Sequence, residues 1–455
     1  MNKRIIAAML SLLIDLNVQA ESVETRQENR IFSQSVAITN AFLGDGANSF
    51  SLNLPEVNVD LTSTSPGIQK TGTVYQLPSP LLSSQLTWQP FNDGYTARIH
   101  LISVQAKRLR IHLVFNKKVQ AIVFRLQGSE DASPLNPIDQ TFIHDNNIWL
   151  PITKGNNADL ELFINDKTSV DGLFSIDSIN IMVEQFSSDS SLDLITQVVK
   201  NTSMPIVKSQ SLFLAQEKEY DLACWSGNKQ YPSLQKAAGG TAKIEFIKNG
   251  GSFICTGTLL NDNRSSFIPW FVTANHCLSN QTIANTASFE WFSQAASCGG
   301  FLTDSRDTQT SGGAKLLWKN VNNDVSFLRL NALPPSGVSY VGWNSNKLIV
   351  GNPVWGVHHP QGDHTMVSKG KVTDLSTRVR GEDGRIRTLN EVSYRYGATE
   401  KGSSGSGIFS TTNGSPKWRG ALYGGPITDS QLSFYSDFNR YFPKIKRWLA
   451  PRKRR

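Results

Sequence analysis

Three short segments carry residue types that together can transfer an acyl group. They are Phe271-Val272-Thr273-Ala274-Asn275-His276-Cys277, Asp324-Val325-Ser326-Phe327-Leu328 and Gly402-Ser403-Ser404-Gly405-Ser406-Gly407. A serine hydroxyl attacks a carbonyl poorly until an imidazole takes its proton, and a carboxylate must hold that imidazole in the right tautomer. His276, Asp324 and Ser404 supply these three groups. The glycines beside Ser404 answer a second need. Two backbone amides, those of Gly402 and Ser404, must converge on one oxyanion, and glycine permits the φ values of such a turn.

Each residue also has an ordinary structural reading, and its surroundings decide between the two. A lone histidine is usually a satisfied core or surface residue, but His276 follows the apolar Trp270-Phe271-Val272 run and precedes a cysteine. An aspartate before an alternating strand is often a turn residue, and a Gly-Ser run is often a loop. Asp324 and Ser404 gain weight from lying, in that order, beyond His276.

The four cysteines stand at 224, 255, 277 and 298. Pairing Cys255 with Cys277 would pin the histidine loop to the neighbouring Ser252–Leu259 strand, worth roughly 3 kcal/mol in a chain-entropy account. Cys224 and Cys298 would then form the second pair. No Cys-x-x-Cys occurs, which argues against zinc, and no metal or organic cofactor is expected. His358 and His359, adjacent on a strand, point to opposite faces. With His364 they read as structural or pocket-wall residues.

At 455 residues the chain exceeds one ordinary domain. Its 39% hydrophobic and 18% charged content suits globular domains with ample core. Part of the net charge of +8 lies in a basic tail ending Arg452-Lys453-Arg454-Arg455. No aromatic residues alternate with these charges, so the tail reads as a solvated terminus and no nucleic-acid partner is expected. Lys3 and Arg4, the apolar Ile5–Ile14 and Val18-Gln19-Ala20 read as a signal peptide over 1–20, with Glu21 the first mature residue. No later apolar stretch is long enough to span a membrane. Export implies an oxidising compartment in which cysteines pair.

Residues 21–186 read as a β-rich N-terminal domain. Leu109, Ile111, Leu113 and Phe115 alternate with Arg108, Arg110, His112 and Val114, the pattern of a half-buried strand. Asn116-Lys117-Lys118 reads as a turn into a second strand, Val119–Leu126, which predicts a hairpin. Alternation returns at Leu160, Leu162 and Ile164, and at Ile179, Ile181 and Val183, completing a small sandwich. Residues 187–215 read as a linker with one short helix near Leu192–Val199. From 216 onward short strands alternate with turns, and Tyr441, Ile445, Trp448 and Leu449 space a helix over Arg440–Leu449. The expected fold is all-β: a double β-barrel with a C-terminal helix over 216–455, preceded by a β-sandwich-like domain.

The order His, Asp, Ser, together with Cys255-Thr256-Gly257-Thr258-Leu259, Val341-Gly342-Trp343, Val357-His358-His359-Pro360, Thr399-Glu400-Lys401-Gly402-Ser403-Ser404-Gly405-Ser406 and Gly424-Gly425-Pro426, gives a family resemblance. Residues 216–450 resemble the trypsin-like serine peptidases of the chymotrypsin clan, and among them the secreted bacterial lysyl endopeptidases. The resemblance implies two perpendicular six-stranded barrels with the triad in the cleft between them, and it supports both disulfide pairings. It also implies a preproprotein whose β-rich 21–186 is a pro-segment acting as intramolecular inhibitor or chaperone. The polar composition of the linker suggests cleavage within 200–216, for instance after Lys208.

Three departures from the family pattern matter. Typical trypsins carry, before the nucleophile, an aspartate that pairs with a freed N-terminus; here that residue is Ser403. The family's pocket aspartate, two residues before a tyrosine, is replaced by Ser433 before Tyr435, with Asp429 or Asp437 the only nearby substitutes. Tyr423 and Tyr340 replace a histidine and a tryptophan of the substrate-binding side. A preference for lysine before the cut is therefore not implied by these residues, since an unpaired buried ammonium costs several kcal/mol.

The expected function is that of a secreted serine endopeptidase, extracellular or periplasmic, acting on proteins or peptides. The competing class is a secreted adhesion or binding module on a protease scaffold, whose serine would not react with a fluorophosphonate.

Overall fold

The computed structural model describes residues 19–24, 49–61, 68–92, 94–117, 121–165, 170–183, 220–381, 383–426, 429 and 431–451. The expected signal segment up to residue 18, the linker with its short helix and Lys208, and the last four basic residues lie outside the described residues.

The N-terminal domain is two facing sheets. One contains Ser49–Leu54, Gly94–Ser103, Asn157–Ile164 and Ile122–Gly128; the other contains Asn147–Trp149, Arg108–Phe115, Phe174–Met182 and Gln69–Leu82. Alternate residues point inward, so Ile99, Leu101, Leu160 and Leu162 of one sheet meet Leu109, Ile111, Leu113, Ile179 and Ile181 of the other in one core.

Two expectations for this domain are corrected. Arg108–Phe115 and Ile122–Gly128 both form, but they are not a hairpin. The first pairs with Phe174–Met182 and Asn147–Trp149, the second with Asn157–Ile164 in the opposite sheet. Phe115 and Phe124 instead face each other across the core, ring centroids 6.3 Å apart. Local alternation dictates a strand and its inward face, but not its partner. Nor is Arg108–Phe115 half-buried. Arg108 and Arg110 are 8% and 1% exposed, because the polar face is covered by the C-terminal half of the chain.

That half is built of two barrels, two short helices, Tyr231–Gly239 and Gln281–Asn285, and a C-terminal helix. The first barrel contains Ser288–Trp291, Thr241–Lys248, Gly251–Leu260, Trp270–Thr273, Val325–Leu330 and Ala314–Asn320, hydrogen-bonded in that order. The second closes on itself: Ser415–Gly424, Gly407–Thr412, Pro353–His358, Met366–Arg380, Ile386–Tyr396 and Leu432–Tyr435, the last returning to the first. Between them Leu260, Val272 and Phe327 meet Trp355, Val357, Phe409 and Trp418. The C-terminal helix, Phe438–Leu449, seals this seam with Phe438, Tyr441, Phe442, Ile445 and Leu449. Asp437 caps it through the Asn439 amide and pairs with Arg440, so its carboxylate is engaged at the start of the helix. The segment Gln19–Glu24 also lies here. Gln19–Ala20 pairs with Trp343–Asn344, and buried Lys417 Nζ donates to Ala20 O at 2.8 Å. The expected boundary after Ala20 thus falls inside a seated segment.

The two halves share one sheet. The first part of Gly251–Leu260 has an edge left open by Trp270–Thr273, which pairs only with Gly257–Leu260. Gln69–Thr73 fills that edge, opposite Gly251–Ile254. This is strand addition, in which main-chain bonds supply the join. Charged groups from both sides then meet, buried at Arg108 and Lys243 and exposed at Lys154. Arg108 pairs with Glu245, Lys154 with Asp307 at 3.5 Å, and Arg110 donates to Thr286 O at 2.6 Å. Lys243 pairs with Glu290 at 2.9 Å. Burial, and then the neighbouring Glu290, push the Asp307 carboxyl up to about 7.

A group raised in this way contributes stability in full below the ordinary carboxyl range, and that contribution is lost as pH rises through about 7. Between about pH 5.5 and about pH 8 the melting temperature of the full chain is therefore expected to fall more for the native sequence than for Asp307→Asn. Parallel melting curves for the two would remove Asp307 from this role.

Candidate functional site

The site lies where two connections of the first barrel, bearing His276 and Asp324, meet one of the second, bearing Ser404. Trp270–Thr273 is buried at every position, between Gly251–Leu260 and Val325–Leu330, and it delivers the Ala274–Cys277 turn at its end. Cys277 is bonded to Cys255 of the adjacent strand, Cα atoms 6.4 Å apart. Lys248 Nζ donates to His276 O at 3.0 Å from the other side. The imidazole is thus fixed at its backbone before it meets any partner. The second disulfide, Cys224–Cys298, ties the start of this half to the loop after Ser288–Trp291.

Asp324 opens Val325–Leu330 with φ +49°, a left-handed conformation that costs a non-glycine residue on the order of 1 kcal/mol. The strain aims the carboxylate. Oδ2 lies 2.7 Å from His276 Nδ1 and Oδ1 accepts the His276 amide at 3.0 Å. Asp324 is 1% exposed. An ionised acceptor fixed at both oxygens demands N–H on Nδ1 and leaves Nε2 as the basic nitrogen. Nε2 is buried and has no hydrogen-bond partner among the described residues.

Ser404 sits in the turn before Gly407–Thr412. Its carbonyl accepts the Thr256 amide at 2.8 Å and lies 3.9 Å from Cys277 Sγ, so its backbone is held against the strand and turn that hold His276. Gly405 makes that approach possible: a Cβ there would lie 2.2 Å from Thr273 Oγ1 and 2.6 Å from Ala274 N. Gly402 has φ +91°, the left-handed value a turn of converging amides requires.

The tentative substrate-side residues separate. Tyr423 lies edge-on to His276, centroids 6.0 Å apart. Ser433 is fully buried, its Oγ 2.8 Å from Thr399 Oγ1, five residues before Ser404. The hydroxyls of Thr399 and Ser433 thus form a neutral pair. Tyr340 is 2% exposed in the first-barrel core, its hydroxyl donating to Phe267 O at 3.0 Å.

Sequence reasoning missed Arg387. It is 4% exposed, bidentate to Asp383 at 2.8 and 2.7 Å, and stacked on Tyr423 at 4.9 Å. An arginine in an alternating, charge-rich strand carries no signal for this. The grouping of Cys255, His276 and Cys277 is no metal centre, because both sulfurs are in the disulfide.

Residues 69–180 match the family model of the lysyl endopeptidase N-terminal domain, and residues 215–438 that of the lysyl endopeptidase C-terminal domain. The chain is 34% identical over 245 residues to a lysyl endopeptidase of Pseudomonas aeruginosa, covering 51% of this chain and 52% of that protein. It is 25% identical over 193 residues to secreted RxLR effector protein 73 of Plasmopara viticola, covering 42% and 46%. The chain spans about half the length of these curated relatives. Among solved structures, the Rv3671c protease of M. tuberculosis in its active form is 16% identical, with a TM-score of 0.34 over 49% of this chain and 86% of that one. Deg5 is 15% identical, with a TM-score of 0.35 over 50% and 96%. With both lysyl endopeptidase domain models matched in order along it, the chain belongs to the trypsin-like serine peptidases, in their lysyl endopeptidase family.

Proposed function

We propose that the chain is the precursor of an exported serine endopeptidase that cuts peptide bonds through an acyl-enzyme. The observation that carries this reading is Asp324 gripping His276 at both its amide and Nδ1 while the Ser404 turn is fastened to Gly251–Leu260, the strand next to the one that delivers His276. In this reading His276 Nε2 takes the Ser404 proton as Oγ attacks the carbonyl carbon. The Gly402 and Ser404 amides stabilise the oxyanion, and His276 returns the proton to the departing amine. Water then attacks the acyl carbon by the same relay, releasing the acid and restoring Ser404. Asp324 stays ionised and stabilises the imidazolium.

The N-terminal domain is the pro-segment in this proposal. Its strand addition at Gln69–Thr73 reaches the hairpin that ends at Lys248, where Val74 N donates to Gly250 O at 2.8 Å. Lys248 in turn holds the His276 carbonyl. Such a strand can template the first barrel during folding, the chaperone role, and can restrain the His276 side afterwards. Export with removal of a signal segment is supported by the basic and apolar N-terminus and by two disulfides. Among the described residues no helix is long and apolar enough to cross a membrane.

For specificity, the neutral Thr399–Ser433 pair is read as the floor of the pocket that takes the residue before the cut. An ammonium there would be desolvated without a counter-ion, so uncharged residues are expected ahead of lysine. Profiling the purified protein on a peptide library tests the reading. Cleavage is expected, with uncharged residues enriched before the cut, and Ser433→Asp is expected to raise relative cleavage after lysine about tenfold or more. Dominant cleavage after lysine by the native sequence would overturn the neutral-pocket part. An absence of any cleavage by correctly processed protein would overturn the whole.

A further inference from the structure

The oxyanion turn of this chain lacks the aspartate that typical trypsins tie to a freed N-terminus, and Ser403 stands in its place. We propose that buried His358, acting through Ser403 and aided by the Pro360–Gly362 turn, holds residues 400–404 in their working shape, so that no new N-terminus is needed to form the oxyanion hole. The inference rests on the proteolytic reading above and makes His358 a positioning residue for it.

The hydrogen-bond pattern is fully determined. Ser368 Oγ donates to Ala398 O at 3.3 Å, so it accepts from His358 Nε2, 2.8 Å away. His358 is fully buried, and burial followed by the adjacent His359 lowers it to about 3, so the ring is neutral. With Nε2 protonated, Nδ1 is an acceptor, and the group 2.9 Å from it is Ser403 Oγ, which donates. Ser403 Oγ in turn accepts the Glu400 amide at 3.3 Å. Every donor in this chain of four groups has one acceptor, and the chain ends on the turn that presents Gly402 and Ser404.

A second set of contacts orients the peptide that matters. Gln361, held at φ +53°, donates its amide to Lys401 O at 2.5 Å. In a trans peptide the carbonyl of Lys401 and the amide of Gly402 point in opposite directions. Fixing the carbonyl on the Gln361 side therefore turns the Gly402 N–H away from it, toward the side on which an oxyanion would sit. Thr256 Oγ1 takes the Gly402 carbonyl at 2.9 Å, and the Thr256 amide takes that of Ser404 at 2.8 Å. A turn with three of its carbonyls anchored is preorganised, and a preformed donor pair is where electrostatic catalysis gains most.

The test uses the processed enzyme. Active sites are counted with a fluorophosphonate probe, and kcat and KM on a labelled peptide are measured for Ser403→Ala, His358→Leu and His358→Gln. Ser403→Ala and His358→Leu are expected to lower kcat per counted site by about 10- to 100-fold with KM within about twofold, and to weaken a peptide-aldehyde inhibitor in parallel. The amide of His358→Gln can donate and accept, and is expected to recover part of the loss. A purely structural role would lower melting temperature and the fraction of countable sites while leaving kcat per site intact, and that result overturns the inference. If the native sequence neither labels nor hydrolyses peptide, the proteolytic reading falls and takes this inference with it.

Discussion

Replacing Ser404 by alanine is expected to lower peptide hydrolysis by about a millionfold and to stop cleavage of the chain's own linker. The size follows from the chemistry. Without Oγ there is no acyl-enzyme, and residual catalysis comes only from the oxyanion donors and substrate binding. The fold is expected to survive, because the bond from Thr256 is made to the Ser404 backbone carbonyl, which the substitution retains. Melting temperature within a few degrees of the native value, with hydrolysis gone, is the predicted pair of results. Appreciable hydrolysis by this variant would exclude Ser404 as nucleophile.

The second large effect is at Asp324. Asp324→Asn is expected to lower kcat about ten-thousandfold with little change in KM. The carboxylate currently accepts two hydrogen bonds, from the His276 amide and from Nδ1–H. An asparagine can satisfy both only with a single oxygen. If its NH2 group faces the ring instead, Nδ1 must become the acceptor and Nε2 carries the proton, which removes the base. The loss is expected to be pH-independent above neutrality, because no titration restores the tautomer. A mild loss, of about tenfold or less, would assign the orientation of His276 to other groups such as Lys248.

What could be read in the sequence is what is local. His276 is marked by the apolar strand before it and the cysteine after it, and Asp324 by its place at the head of Val325–Leu330; the structure sets these two side by side. The final helix is spaced by Tyr441, Ile445 and Leu449, all of which it buries. What escaped is set by partners distant in sequence. The alternation in Arg108–Phe115 identifies a strand and its apolar face, yet that strand meets Phe174–Met182 rather than its neighbour in sequence. Its polar face is covered by Glu245 and Thr286 from more than a hundred residues away. The long Met366–Arg380 and Ile386–Tyr396 ribbon went unread because the outer half of Met366–Arg380 alternates exposed and half-buried, largely polar residues, so hydrophobic contrast fades along it. Tyr340 was placed by motif register, but its side chain points into the barrel core. Arg387 reaches the site by stacking on Tyr423, a contact that no spacing in the chain announces.

The central claim is that Ser404 is a nucleophile activated by His276. Labelling the purified protein with a fluorophosphonate, digesting it and locating the adduct by mass spectrometry tests this most directly. The account predicts one stoichiometric adduct on Ser404, abolished in His276→Ala and absent after unfolding. An unlabelled folded protein, or an adduct on another serine, would contradict it.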